Sequence, residues 1–260
     1  MSPGVTSTVA GDAVGVLDRM TCILEAFDGD DRGMGISELA LRAGLPKSTV
    51  SRLVATLVRQ RYLERDGKLI HLGLRLFELG QLAEQPRELR IAALPVMADL
   101  RNQTGENVHL AIRDGGEVVC IAVMRGRSAG PSTVRTGGRL PLHATALGKA
   151  VLAHDSPSGI DDVLSAGLVP WTARTIADPA ALRRQLAGIR GGGLAVEAGE
   201  FVTGVSCTAI PVFAPGGRLQ GAVSVSGHQD DVDADRVAQA LRAAALTLAR
   251  RLAALSAPAD

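Results

Sequence analysis

The sequence predicts an α+β chain: an N-terminal helix-turn-helix with a β-hairpin wing, then a larger domain of helices at both ends of an antiparallel sheet. Three observations carry this. Apolar residues recur at helical spacing up to Arg59, with glycines marking the turns. Basic residues then gather around a hairpin signal. Between Arg42 and Arg75 eight Lys or Arg stand against only Glu64 and Asp66, a window of +6 in a chain of +1. Beyond Pro86 the texture changes to short alternating segments between helical ones.

The first helix is expected over Val14–Phe27, with Val16, Met20, Ile23, Leu24 and Phe27 on one face, ended by the acidic DGDDRGMG. ISELALRAG predicts a short second helix, with Ser37 as N-cap and Gly44 closing it. Pro46 suits the first turn of the third, where a missing N–H costs nothing. There Val50, Leu53, Val54, Leu57 and Val58 form the inward face. Ser48, Arg52, Ala55 and Arg59 lie opposite, with Ser51 beside them. YLERDGKLIHLG reads as two short strands joined at Asp66-Gly67. LGLRLFELGQLAEQP predicts a leucine-lined helix that stops near Pro86, the natural domain boundary.

Past that boundary a helix around Glu88–Gln103 leads into NVHLAIRDGGEVVCIAVM, a hairpin turning at Asp114-Gly115-Gly116. The loop TGGRLPLHATALGKAVLAH follows, then a helix-rich stretch to Ile189. Gly191-Gly192-Gly193 reads as a flexible turn before a strand. VSCTAIPVFAPGGRLQGAVSVSG is a second strand pair, and a helix over about Asp233–Leu255 closes the chain.

Composition removes several function classes. Aromatics are only 2% of 260 residues, which disfavours stacking platforms for single strands. Cys22, Cys120 and Cys207 are far apart, forming neither a zinc pattern nor a disulfide framework, as fits a reducing cytoplasm. No apolar run approaches the ~18 residues of a membrane span. The opening MSPGVTSTVAGDAVG lacks a signal peptide's pattern and reads as a frayed tail. No cofactor or metal is expected: the five histidines lack close ligand spacing, and GKA at 148–150 lacks the rest of a phosphate loop.

The order helix, short helix, glycine turn, polar-faced helix and basic hairpin is a winged helix-turn-helix. Its second helix is the kind that enters the major groove of double-stranded DNA with its N-terminal residues nearest the bases. Lys47, Ser48, Thr49, Ser51 and Arg52 are therefore the expected base-facing residues. Arg65 and Lys68 on the wing are expected at phosphates, and Arg59, on the same polar face of the helix, is a further DNA-binding candidate.

Three blocks in order, GLPKSTVSRLVATLVRQRYLERD, RLPLHATALGKAVLA and GVSCTAIPVF…GAVSVSG, resemble the IclR family of bacterial transcriptional regulators over about residues 13 to 255. The resemblance implies a winged helix over 13–72, a linker helix over 73–86 and a GAF-like effector-binding domain over 87–258. It also implies an operator as partner, a homodimer or homotetramer, and a small-molecule effector. The family's effector residues match Leu140, Ala146 and Leu147 in the middle block and Glu197, Cys207, Ser224 and Ser226 later. Position 197 departs from the family's usual Asp, and the longer Glu narrows the site or shifts its polar contact.

The residues support that site on their own. Small residues before Gly148 would admit a ligand to the backbone, and exposed N–H groups at a helix start favour a carboxylate. Ser224 and Ser226 alternate onto one sheet face. An effector-responsive regulator sensing a carboxylate or aromatic metabolite is the leading expectation, with no catalytic residue. The alternative is a redox sensor or enzyme using Cys120 or Cys207, which requires a thiol of lowered pKa.

Overall fold

The computed structural model describes residues 15–28, 32–127, 134–230, 232 and 234–255. The expected frayed tail lies outside them, apart from Gly15. The chain divides into two compact units, Met1–Ala83 and Glu84–Asp260.

In the first unit α1 (Val16–Glu25), β1 (Met34–Gly35), α2 (Ile36–Arg42) and α3 (Lys47–Arg59) precede the wing strands β2 (Leu63–Asp66) and β3 (Leu69–Leu72). β3 is central in a three-stranded antiparallel sheet, flanked by β1 and β2. The apolar periodicity explains the packing: Ile23, Leu39, Val50, Val54, Leu57, Leu63 and Ile70 form one buried cluster. Three local expectations are corrected. The N-cap of α2 is Gly35, not Ser37, because the strand β1 runs directly into the helix. Pro46 is the N-cap of α3 rather than its first residue. The wing turn itself is Gly67-Lys68, since Asp66 pairs with Leu69.

The long helix expected to end at Pro86 is two helices. α4 (Leu74–Gly80) stops after Gly80 in tight three-residue turns, with the Leu82 and Ala83 amides donating to the Leu79 and Gly80 carbonyls. α5 (Glu84–Thr104) then starts, with Pro86 as its third residue. Proline at that point begins a helix rather than ending one, because first-turn amides have no intrahelical partner to lose.

The second unit holds a six-stranded antiparallel sheet in the order β6-β5-β4-β9-β8-β7. Its strands are β4 (Asn107–Asp114), β5 (Glu117–Met124), β6 (Arg139–Pro141), β7 (Ala195–Ala198), β8 (Val205–Phe213) and β9 (Leu219–His228). Strand alternation sends residues to two separate cores. α5 and α9 (Ala234–Leu255) bury Leu89, Met97, Leu241 and Leu248 with Leu110, Val223 and Val225. Against the rest pack α6 (Ala146–Leu152), α7 (Pro157–Ser165) and α8 (Pro179–Gly192). The glycine run at 191–193 is not a flexible turn. The first two residues finish α8 and Gly193 caps it at φ 76°, the left-handed geometry that suits glycine at a helix end.

Candidate functional site

Two sites follow from this framework. On α3 the apolar face is spent on the core, leaving Lys47, Ser48, Ser51, Arg52 and Arg59 exposed and Thr49 half-buried. At 1.5 Å per residue, Lys47 to Arg52 fill the first turn and a half, and Arg59 lies about 10 Å further along the axis. Arg65 and Lys68 are exposed on the wing. Between helix and wing, Arg61 adopts φ 66°, a left-handed conformation, while Tyr62 donates back to the Leu57 carbonyl at 2.9 Å. This 6→1 closure usually carries glycine.

The second site is a cavity of about 250 Å³ walled by the six-stranded sheet. Strand register explains its chemistry. Glu197 on β7 pairs with Cys207 on β8, Cys207 with Ser226 on β9, and Ser226 with Asn107 on β4. These four residues form one row across four strands, and all line the cavity. Leu140 and Thr145 close another side, and the loop Phe201–Gly204 before β8 a third. Among the described lining residues there is no lysine or arginine, so polar recognition falls to hydroxyl, amide, carboxyl and thiol groups and to the His228 imidazole.

Leu140, Glu197, Cys207 and Ser226 therefore meet at the cavity. Ser224, two residues along the same face, does not line it. It is fully buried, with its hydroxyl 3.5 Å from His109 Nδ1. Its row includes Ala195 and Ala209, which pack with residues of α6. Ala146, Leu147 and Gly148 also stand outside the lining, because α6 is buried along its whole length. The open helix start expected at Gly148 is corrected. Its amide is taken by Thr145 Oγ1 at 3.0 Å, and an added Cβ would meet Leu142 backbone at 2.5 Å. The small residue serves helix packing rather than ligand approach.

Sequence reasoning missed Asn107, Thr145, Phe201 and His228. The loop had a signal in GEFVTG, where Gly199 (φ 74°) and Gly204 (φ 80°) bracket it and admit the chain reversals.

The electrostatics beneath this loop are unusual. Lys149 is wholly buried, and its Nζ donates to both Glu200 oxygens at 2.6 Å. Burial pushes the ammonium down, and Glu200 opposes that shift. Glu197 is 3% exposed. Its Oε1 accepts from the Phe201 amide at 3.5 Å, and its Oε2 is buried without a hydrogen-bond partner among the described residues. Burial raises its pKa from 4.5 to about 7. Cys207 is pushed up to about 12, by burial and then by the charge of Glu197. Cys120, whose thiol donates to the Ala122 carbonyl at 3.3 Å, is likewise raised to about 12 by burial. Both shifts oppose thiolate chemistry. Among the described residues no cluster of His, Cys, Asp or Glu could hold a metal, and no helix is long and apolar enough to cross a membrane.

Comparison with known proteins gives a consistent picture. The IclR helix-turn-helix domain matches residues 16–67, and the bacterial transcriptional regulator IclR C-terminal domain matches residues 82–253. The HTH-type transcriptional repressor AllR of Klebsiella pneumoniae is 32% identical over 238 residues, 90% of this chain and 87% of that protein. The HTH-type transcriptional regulator XynR of Escherichia coli K12 is 32% identical over 243 residues, 91% and 96% of the two chains. Among solved structures, an IclR homolog from Microbacterium hydrocarbonoxydans complexed with 4-hydroxybenzoate superposes with a TM-score of 0.86. It is 32% identical, and the match covers 92% of this chain and all of that one.

Proposed function

Because the chain belongs to the IclR family of bacterial DNA-binding transcriptional regulators, we propose that it is a cytoplasmic, effector-responsive regulator. In this reading it binds a two-fold operator as a dimer or a dimer of dimers. The winged helix over 13–72 reads DNA through Lys47, Ser48, Thr49, Ser51 and Arg52, with Arg59, Arg65 and Lys68 at phosphates. The segment 73–86 connects it to an effector domain over 87–258.

The effector is a small organic carboxylate or aromatic metabolite, held in the cavity on the Glu197–Cys207–Ser226–Asn107 row. That row is the observation that carries the reading: four strands place hydroxyl, amide and carboxyl groups side by side at one apolar-walled cavity. The relative solved with 4-hydroxybenzoate supports the choice of ligand class. Catalysis has no support in the cavity, where the thiol is held protonated and the carboxyl is the sole acid of the row.

A thermal-shift screen of small organic and aromatic acids, 4-hydroxybenzoate included, tests this. A true effector at 100 times its Kd adds about 2.7 kcal/mol of stability. It should also change operator affinity in fluorescence anisotropy, and Ser226→Val should weaken it. A stabilising acid whose binding ignores Ser226→Val and Asn107→Ala would place the effector elsewhere.

A further inference from the structure

Lys149 is a buried charge that does not line the cavity, yet Glu200, the partner of its ammonium, directly precedes the cavity wall that begins at Phe201. The loop from Gly199 to Val205 supplies five consecutive lining residues, Phe201 to Val205. The loop is closed on itself, since the Gly199 amide donates to the Val205 carbonyl at 2.8 Å. It is then fixed on two sides. Toward solvent, Thr172 Oγ1 donates to the Gly199 carbonyl at 2.7 Å and Thr175 Oγ1 to the Glu200 carbonyl at 2.6 Å. Trp171, in the same turn, packs edge-on to Phe201 with centroids 4.9 Å apart. Toward the interior the fixing groups are the Lys149 ammonium on both Glu200 oxygens and the Glu197 carboxyl on the Phe201 amide.

These two attachments differ in kind. The threonine bonds hold main-chain carbonyls and would survive any side chain at 200. The inner bond is charge-assisted and runs from a helix buried along its whole length. A carboxylate in this interior is tolerated only while a cation meets it. Without Lys149, Glu200 is left a stranded buried carboxyl that takes up a proton or turns to water, and either way the loop loses its charge-assisted inner bond.

We propose that Lys149 is a positioning residue for effector recognition. Through Glu200 it clamps the Gly199–Val205 loop in the shape that completes the cavity, without contacting the ligand. The inference rests on the effector reading for its purpose, though the clamp itself is a property of the unliganded protein.

The test can therefore be run on full-length protein without ligand. Hydrogen exchange over residues 199–205 is compared in wild type and in Lys149→Met/Glu200→Leu, where apolar side chains replace both charges together. Such a replacement leaves no lone buried charge and commonly preserves stability. Loop exchange should accelerate by roughly tenfold or more while β8 and β9 keep their protection. Trp171, the one tryptophan of the chain, should become more open to acrylamide quenching. Unchanged loop exchange in the folded double variant overturns the proposal. If that variant loses protection throughout the domain, Glu200→Gln replaces it. It keeps an oxygen for Lys149 but not the charge, and loop exchange should rise by a smaller factor, about threefold. An unchanged value there overturns the clamp equally. A final titration with 4-hydroxybenzoate, read by Trp171 emission, separates the two readings. Failure of wild type to bind any acid tested counts against the effector assignment, while the exchange result alone decides the clamp.

Discussion

The two candidate sites use charge in opposite ways. On α3 and the wing, Arg52, Arg59, Arg65 and Lys68 stand exposed in water, where a charge is inexpensive and available to a polyanion. Around the cavity, Lys149, Glu197 and Glu200 are almost wholly enclosed: Lys149 and Glu200 spend their charges on each other, and burial favours the neutral form of Glu197. The first arrangement suits a ligand whose charge does most of the binding. The second suits a ligand chosen by shape and hydrogen bonds, with the protein's own ions serving as scaffolding.

The largest effect expected from this contrast is on stability. Lys149→Ala should cost the C-terminal unit about 3–5 kcal/mol, because it strands a buried carboxylate. Arg52→Ala, on an exposed face, should change stability by less than about 0.5 kcal/mol. Urea melts of the two variants check both numbers, and comparable losses would break the contrast. On DNA the ranking should invert. Arg52→Ala is expected to weaken operator binding by roughly 1–3 kcal/mol and relax base preference, if it reads a guanine edge. Anisotropy against matched and mismatched duplexes measures this, with Lys149→Met/Glu200→Leu as the control that keeps wild-type DNA affinity without effector. Wild-type binding itself should fall with salt at a log–log slope of about −5 to −9 if six to ten phosphates are neutralised.

A smaller effect concerns pH. Glu197 has its pKa raised by burial from 4.5 to about 7. The fold therefore favours its neutral form. That contribution is complete below about 4.5 and is lost as pH rises to about 7. His109, lowered to about 4 by burial, acts in the opposite sense, losing its contribution as pH falls below 6.5. The informative quantity is thus the difference between wild type and Glu197→Gln. The variant should gain relative stability between pH 4.5 and 7 and show no further relative change above that. The smallest effect is at Arg61. Arg61→Gly relieves the left-handed backbone at the α3–β2 corner and should raise stability by roughly 0.5–1 kcal/mol. A destabilised Arg61→Gly would show that its side chain makes a compensating contact.

How much of this the sequence discloses follows the same division. The face of α3 is a local pattern, legible because helical spacing alone decides which side chains reach the core. The hairpins at Asp66-Gly67 and Asp114-Gly115-Gly116 are legible for the same reason, although the wing's two-residue loop is shifted by one. Lys149 and Glu200 lie 51 positions apart, and nothing in the letters GKA or GEF marks them as a pair. The cavity row was partly visible, since SVS and the cysteine strand alternate by themselves. Asn107 joined it only once β4 was found beside β9. The break between α4 and α5 is not legible, because a proline in a helical pattern can mark either a stop or a start. Which role it plays depends on where the helix begins, a question that Gly80 and the turn after it decide.

The six-stranded sheet is open, and an open sheet invites strangers. Its two outermost strands are its shortest, Arg139–Pro141 on one side and Ala195–Ala198 on the other. The three-residue margin ends in a proline, which has no amide to offer a newcomer. A foreign strand arriving at either margin would find three or four residues to grip, where the central strands would offer eight to ten. The folded domain therefore offers little edge for a foreign strand to extend, a protection against edge-to-edge aggregation quite apart from gene control.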